Sequence, residues 1–363
     1  MNQFASLEEL IYLIAFSNLK YISDKDKKEI LIELASAKAV YDYCKAHSHL
    51  GKLIWPLDAA KKEIDFIVKH QIKVLSILDN AYPTRLKHCE DAPIILYYKG
   101  KGDFQLPFLV SIIGTRTHTR QAFPMIKDFI ESAQHLNIGI VSGLAIGIDT
   151  IAHQTALQNK LPTWAVLGHG LDQIYPTQNR KMAIAMLEQG GLFTEFNHQT
   201  SPLQFHFPKR NRIVAGMTDA TLVIETDIKG GSMITATQAF KYNREVFAAP
   251  GKIYDPKSRG CLSLIKNNIA HLYHDPIHFL EALQWPIPQK PSFKKKNTQM
   301  SFEWDEITKE IINFIDIHSP VEEAFILANF SIEPHILAGK LLDLELDGVI
   351  ERPSGNQYTR KID

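Results

Sequence analysis

Three glycine-bearing turns follow short apolar runs in this chain: Ile113-Gly114-Thr115-Arg116, Ser142-Gly143-Leu144-Ala145-Ile146-Gly147-Ile148-Asp149, and Gly230-Gly231-Ser232-Met233-Ile234-Thr235. Each stands where a parallel strand would pass the chain to a helix, so rows of backbone N–H groups could face one anionic ligand. Between the second and third turns lies Phe205-His206-Phe207-Pro208-Lys209-Arg210-Asn211-Arg212. It mixes aromatic rings with cations, the combination that single-stranded nucleic acid needs for base stacking and phosphate neutralisation. Arg116 directly follows a glycine turn, where a guanidinium can take a phosphate bidentately while Gly114 allows close backbone approach. Phe205 and Phe207 could equally be core residues, and Arg210 and Arg212 would point to opposite sides if the segment is extended.

Other chemistries find less support. The first turn lacks G-x-G-x-x-G and no G-x-x-x-x-G-K-[ST] occurs, so neither a dinucleotide nor a P-loop nucleotide has its usual cradle, and no cofactor is expected. The strand ending in Leu167-Gly168-His169-Gly170 offers no carboxylate for a ribose. Ser142, Asp149 and His153 resemble a hydrolytic trio only in residue type. Ser142 is outside a G-x-S-x-G elbow, Asp149 to His153 is an ordinary helical i, i+4 pair, and Asp149 reads as a helix-start residue. His271, His274 and His278 straddle an expected strand end and the turn at Pro276, so a metal site is not expected there. No catalytic residue is assigned.

The elements that position these turns follow from periodicity. Apolar residues at helical spacing from Leu7 to about Ala46, with Ser23-Asp24 as a helix start, and again through Ile64, Ile67 and Val68, predict a small N-terminal helical module over residues 1–78. Apolar runs at Leu109–Ile113, Ile138–Ser142, Thr163–Leu167, Gly191–Thr194, Ala220–Ile224, Glu245–Ala248 and Ala270–Tyr273 alternate with helical patterns. That alternation predicts an α/β domain over 79–285, with a Rossmann-like, mostly parallel sheet covered on both faces. The Pro- and Lys-rich stretch 286–303 reads as a linker. Helices around Ile307–Ile317, Val321–Ala328 and Pro334–Leu346, followed by two short strands, predict a winged-helix-like domain over 304–363.

The chain has 363 residues, 45% of them apolar, enough for two or three cores. Forty basic and forty acidic residues cancel, so any nucleic-acid contact must come from local clustering. Three dispersed cysteines, Cys44, Cys89 and Cys261, support neither a disulfide framework nor a zinc knuckle. With no leader-like N-terminus and no apolar stretch of membrane-spanning length, the expected location is the cytoplasm, away from membranes.

Taken together, the sequence resembles the DNA-processing protein A family, also called Smf. The resemblance runs from Tyr82-Pro83-x-Arg85-Leu86 and Pro93 to Gly100, through Ile113-Gly114-Thr115-Arg116, the 142–153 segment and Tyr175-Pro176-x-x-Asn179. It continues through Phe207-Pro208-x-Arg210-Asn211-Arg212-Ile213, Gly231-Ser232-x-Ile234-Thr235-Ala236 and Pro250-Gly251. It implies an extended Rossmann fold that dimerises, protects incoming single-stranded DNA in a positive pocket, and delivers it to RecA in natural transformation and recombination, without turnover chemistry. By position it implies strand contacts from Arg116 and Lys181, and a pocket lined by Gly114, Ser142, Gly143, Gly147, Arg210, Arg212, Gly231, Ser232 and Thr235. The chain departs from the family pattern at Thr119-Arg120-Gln121-Ala122 and at Gly230, and its N-terminal module lacks a helix-hairpin-helix glycine signature. The third C-terminal helix carries Glu333, Asp343, Glu345 and Asp347 against Lys340, which predicts a protein partner for that domain in place of a duplex groove.

Two competing readings remain. Rossmann folds of the lysine-decarboxylase-like group hydrolyse nucleoside monophosphates with a P-G-G-x-G-T-x-x-E run; here Gly230 to Gln238 keeps the glycines but presents Gln238 near the required acid. A pure protein scaffold would use the glycine turns only for packing.

Overall fold

The computed structural model describes residues 6–47, 53–287, 305–346, 349–354 and 357–360. The chain divides into two compact units, residues 1–288 and 289–363. The expected linker at 286–303 lies almost wholly outside the described residues.

The first unit opens with four helices, α1 (Leu7–Ser17), α2 (Asp24–Leu34), α3 (Ala37–Ala46) and α4 (Leu57–His70). Ser6 and Ser23 cap the first two, their hydroxyls accepting from Glu9 N and Asp26 N. The apolar stripes of these helices close over Leu13, Ile14, Phe16, Leu31 and Ile67, all buried. There follow β1 (Lys73–Ser76), the short α5 (Thr84–Lys87), β2 (Ile95–Gly100), β3 (Phe108–Ile113), α6 (Ala122–Ala133), β4 (Ile138–Ser142), α7 (Ile148–Gln158), β5 (Thr163–Val166), α8 (Arg180–Gln189) after a 3-10 turn at Thr177–Asn179, and β6 (Gly191–Thr194). The unit continues with α9 (His206–Gly216), β7 (Ala220–Val223), α10 (Gly231–Lys241), β8 (Glu245–Ala248), α11 (Pro256–Lys266), β9 (His271–Leu272) and α12 (Pro276–Ala282).

Among the described residues the strands form one nine-stranded sheet in the order β1-β2-β6-β5-β4-β3-β7-β8-β9. The seven strands from β6 to β9 pair in parallel, with registers such as Val110↔Ile140 and Val110↔Ala220; β2 pairs antiparallel with both β6 and β1. Every expected strand is present within a residue or two at each end. The antiparallel extension was not expected: β1, placed by sequence in the N-terminal module, pairs Leu75 with Leu96 and so belongs to the sheet. The N-terminal helices share a continuous core with β1, β2 and one face of the sheet, whereas α6, α7 and α12 cover the other face over Val110, Ile112, Phe129 and Phe247.

In the second unit, α13 (Glu306–His318), β10 (Val321–Glu322), α14 (Glu323–Asn329) and α15 (Pro334–Leu346) precede β11 (Ile350–Ser354) and β12 (Gln357–Arg360). The strands form an antiparallel sheet in the order β10-β12-β11 over a core of Ile311, Ile315, Leu337, Leu341 and Tyr358.

Candidate nucleic-acid interface

At the carboxyl ends of β3, β4 and β5 a cavity of about 330 Å³ opens, the place where parallel α/β sheets hold ligands. Its walls come from four segments: Arg116 after β3, Leu144–Ile146 after β4, Val166–His169 at the end of β5, and Tyr175–Gln178 before α8. Phe207 and Arg210, on the first turns of α9, complete it. The guanidinium of Arg116 sits 5.9 Å from the Phe207 ring centre, and the Tyr175 ring lies 6.0 Å from Phe207 with the planes 32° apart. An exposed cation therefore stands by the Phe207 ring, which in turn neighbours Tyr175. Such a combination offers partners for a phosphate and a base side by side.

Arg210 forms the inner charged wall. It is 6% exposed, donates from Nη1 to the Val166 carbonyl and from Nε to Asn211 Oδ1 at 3.1 Å. Burial pushes its pKa down to about 10, a drop offset in part by the neighbouring Asp149 carboxylate and reinforced by Arg116. Burial raises Asp149 in turn, opposed by Arg210 and by the bond it accepts from Ala145 N at 3.2 Å. Asp149 is thus the buried counter-charge of Arg210 and not merely a helix-start carboxylate. Gly143 makes the arrangement possible, because a Cβ there would collide with both the Asp149 carboxylate and the Arg210 guanidinium.

Gly147, the residue before α7, has φ +89°, and a Cβ there would strike the carbonyl oxygen of Thr115 and the backbone of Arg116. Its missing side chain is what lets the 143–147 turn press against the segment presenting Arg116. Gly147→Ala combines left-handed strain with a backbone clash, so a loss of about 3 kcal/mol in unfolding free energy is expected by denaturant titration. Gly114 serves packing in the same way, against Ile148 and the Glu225 carbonyl.

Several residues expected in the pocket lie elsewhere. Ser142 is fully buried and its hydroxyl donates to the Ile112 carbonyl at 2.7 Å, so it ties β4 to β3. Arg212 projects from the opposite side of α9. It reaches Asp24 at 3.0 Å, Glu195 at 2.5 Å and the Asp91 carbonyl, and so clamps α2 to the sheet. The turn at Gly231 opens α10 just outside the cavity walls, the Gly231 carbonyl accepting at 3.4 Å from Asn211, the neighbour of the wall residue Arg210; there Ser232 Oγ bonds Thr226 Oγ1 at 2.7 Å and Thr235 is buried. The crevice between β3 and β7, where the strand order reverses, is occupied by Glu225, whose carboxylate accepts from Thr119 N at 2.9 Å and from Thr119 Oγ1. The cavity accordingly lies on the β4 and β5 side of this crevice, with Arg116 after β3 at its border. Lys181 is exposed on the first turn of α8, three and four residues beyond the cavity residues Gln178 and Thr177, but outside the walls themselves.

The trio of Ser142, Asp149 and His153 forms no relay. His153 is buried with Nδ1 on Thr163 Oγ1 and Nε2 on the Gly143 carbonyl, both at 2.7 Å, and burial pushes its pKa from 6.5 to about 4. The unfolded chain therefore takes up a proton below about pH 6.5 that the folded chain refuses until about pH 4. Stability attributable to this site is lost as pH falls through that window, by about 3 kcal/mol in all. Urea titrations across pH 4–6.5 are expected to show a shallower decline for His153→Asn than for the wild type. Gln238 faces a different cavity, with Lys241 and Tyr242, so it does not stand where a hydrolase would need its acid.

Ile146, His169, Tyr175 and Gln178 are cavity residues to which sequence reasoning assigned no role in the site. The run Leu167-Gly168-His169-Gly170 invited attention only for its missing carboxylate, although glycines flanking a strand-end histidine signal close approach.

The fold and cavity define an extended Rossmann-type protein with a strand-end site suited to a phosphorylated, base-bearing ligand. A model of the family described as DNA recombination-mediator protein A matches residues 73–284, and the chain belongs to this family of DNA-processing proteins. DNA processing protein DprA of Streptococcus pneumoniae is 36% identical over 248 residues, covering 68% of this chain and 85% of that protein. Protein Smf of Escherichia coli is 35% identical over 286 residues, 77% of this chain and 75% of that one. The X-ray structure of the S. pneumoniae protein superposes with a TM-score of 0.63 at 32% identity, over 75% of this chain and 96% of that chain. A structure of DNA processing protein A from Helicobacter pylori, described for its single-stranded DNA binding mode, gives 0.53 at 30% identity, over 59% and 96%. No helix among the described residues is long and apolar enough to cross a membrane.

Proposed function

We propose that this protein binds single-stranded DNA in the cavity at the ends of β3, β4 and β5, with no turnover of its own. The observation that carries the reading is the placement of Arg116 by the Phe207 ring, with Tyr175 beside that ring and the buried cation Arg210 in the same cavity. A duplex keeps its bases stacked inside, whereas an unpaired strand can offer both a phosphate to Arg116 and a base face to the rings. The single-stranded DNA binding described for the H. pylori relative supports the same reading.

From family membership we further infer that the protein acts in the cytoplasm as a homodimer and passes the strand to RecA in recombination. The second unit is read as a winged-helix-like module that meets protein. Its third helix and the residue before it carry Glu333, Asp343 and Glu345, and Lys340 is occupied by Asp305 at 2.5 Å and Thr308 at 2.9 Å, leaving little positive surface for a phosphate backbone.

Lys181 is assigned an outer phosphate contact. Titration of a labelled oligothymidylate across a salt series is expected to give a slope of log K against log salt that shrinks by about 0.7 in Lys181→Ala. An unchanged slope removes Lys181 from the path of the strand.

A further inference from the structure

A second depression of about 520 Å³ adjoins the first. Tyr175 and Thr177 belong to the walls of both, so the segment from Tyr175 to Thr177 borders the two cavities. The floor of the second is apolar, formed by Ile184 and Leu187 of α8 together with Ile174. Its rim carries two cations, Arg180 at the start of α8 and Lys99 of β2, against one carboxylate, Asp172. Neither Arg180 nor Lys99 takes part in an ion pair among the described residues, and Arg180 is exposed. Ile184 is 56% exposed, a large apolar side chain left open on the floor of a groove with a positive rim.

We propose that this groove is a second nucleotide subsite, holding the stretch of the same single strand that leaves the first cavity past Tyr175, with its bases on Ile184 and Leu187 and its phosphates at Arg180 and Lys99. The inference rests on the reading of the first cavity. Continuity selects the occupant. A strand longer than the first cavity can hold must leave it across one of its walls, and across the shared wall at Tyr175 and Thr177 the groove offers an apolar bed with cations at its edge. Apolar floor and cationic rim together match the amphipathic repeat of an unpaired polynucleotide, which alternates flat base and charged phosphate. The antiparallel strands β1 and β2 acquire a role in consequence, because β2 supplies Lys99 and so extends the binding edge beyond the parallel core.

The test is binding as a function of strand length, with the full chain and oligothymidylates of about four and about ten nucleotides, spanning the usual range of site sizes. Arg180→Ala and Ile184→Glu change exposed positions, so both are expected to fold as the wild type does, checked by circular dichroism. The wild type is expected to bind the longer strand more tightly than the shorter. Both variants are expected to hold the short strand like the wild type and the long strand about tenfold more weakly, the scale of one lost stacking or phosphate contact. Variants that match the wild type at both lengths overturn the proposal, as does a loss already complete with the short strand. Arg116→Ala run in parallel separates the two ideas. If it leaves the short strand's affinity unchanged, the first cavity fails as the anchor; if it abolishes binding while Arg180→Ala and Ile184→Glu are silent, only the second subsite fails.

Discussion

Arg116→Ala is expected to weaken binding of single-stranded DNA by about 30-fold, close to 2 kcal/mol, at moderate salt. The guanidinium is exposed, stands against the Phe207 ring and occupies the mouth of the cavity, so its loss removes a charge-assisted phosphate contact together with the cation that completes the aromatic face. Because the side chain is exposed, folding stability should change by less than about 0.5 kcal/mol. Arg116→Lys sharpens the test. Lysine keeps the charge and should preserve the salt dependence, yet it lacks the planar fork and should recover only part of the affinity. Equal affinities for wild type and Arg116→Ala, measured by fluorescence anisotropy at several salt concentrations, would remove this residue from the site.

Arg212→Ala is expected to act in the opposite sense, costing about 3 kcal/mol of folding free energy while leaving the cavity's chemistry in place. Arg212 stands two residues from Arg210 on α9, about 200° around the helix, which carries it away from the cavity and onto Asp24 and Glu195. Its side chain and that of Glu195 are 8% and 6% exposed, so truncation strands a buried carboxylate that had a partner. Lys209, at 3.2 Å from Asp24 and 3.3 Å from Glu195, softens the loss without replacing it, since it already shares those oxygens. The double variant Arg212→Ala with Glu195→Gln should regain part of the stability, because the second change removes the charge the first one orphans. Chemical denaturation reads both effects. Affinity for single-stranded DNA, measured well below the transition, should stay within a few-fold of wild type.

The contrast between these two arginines shows what the sequence could carry. The parallel strands were legible because each is a short apolar run followed by a helical stretch, several with a glycine in the turn between, and burial on both faces makes such runs continuous. The antiparallel strands β1 and β2 were not, because Lys73–Ser76 follows directly on a helix and nothing local marks Ile95–Gly100 as antiparallel. Arg116 could be found from its place after a strand-end glycine. Arg210 and Arg212 were indistinguishable in type and nearly in position; only the helical phase of α9 and the approach of α2 decide which faces the cavity and which faces Asp24. Ser142 stood in the right turn, but its hydroxyl points back into the sheet to Ile112. Tyr175 was visible only as a member of a Tyr-Pro pair, and its role emerges from the long-range packing that brings it 6.0 Å from Phe207.

The central claim is that an unpaired strand enters the cavity between Arg116, Tyr175 and Phe207. The most direct measurement is a crystal structure of the full chain with a short oligothymidylate. The expected result is a phosphate within hydrogen-bonding distance of the Arg116 guanidinium and a base against the Phe207 or Tyr175 ring. A strand bound elsewhere, on the second unit or along the α11–α12 face, with the cavity holding only solvent, would contradict it.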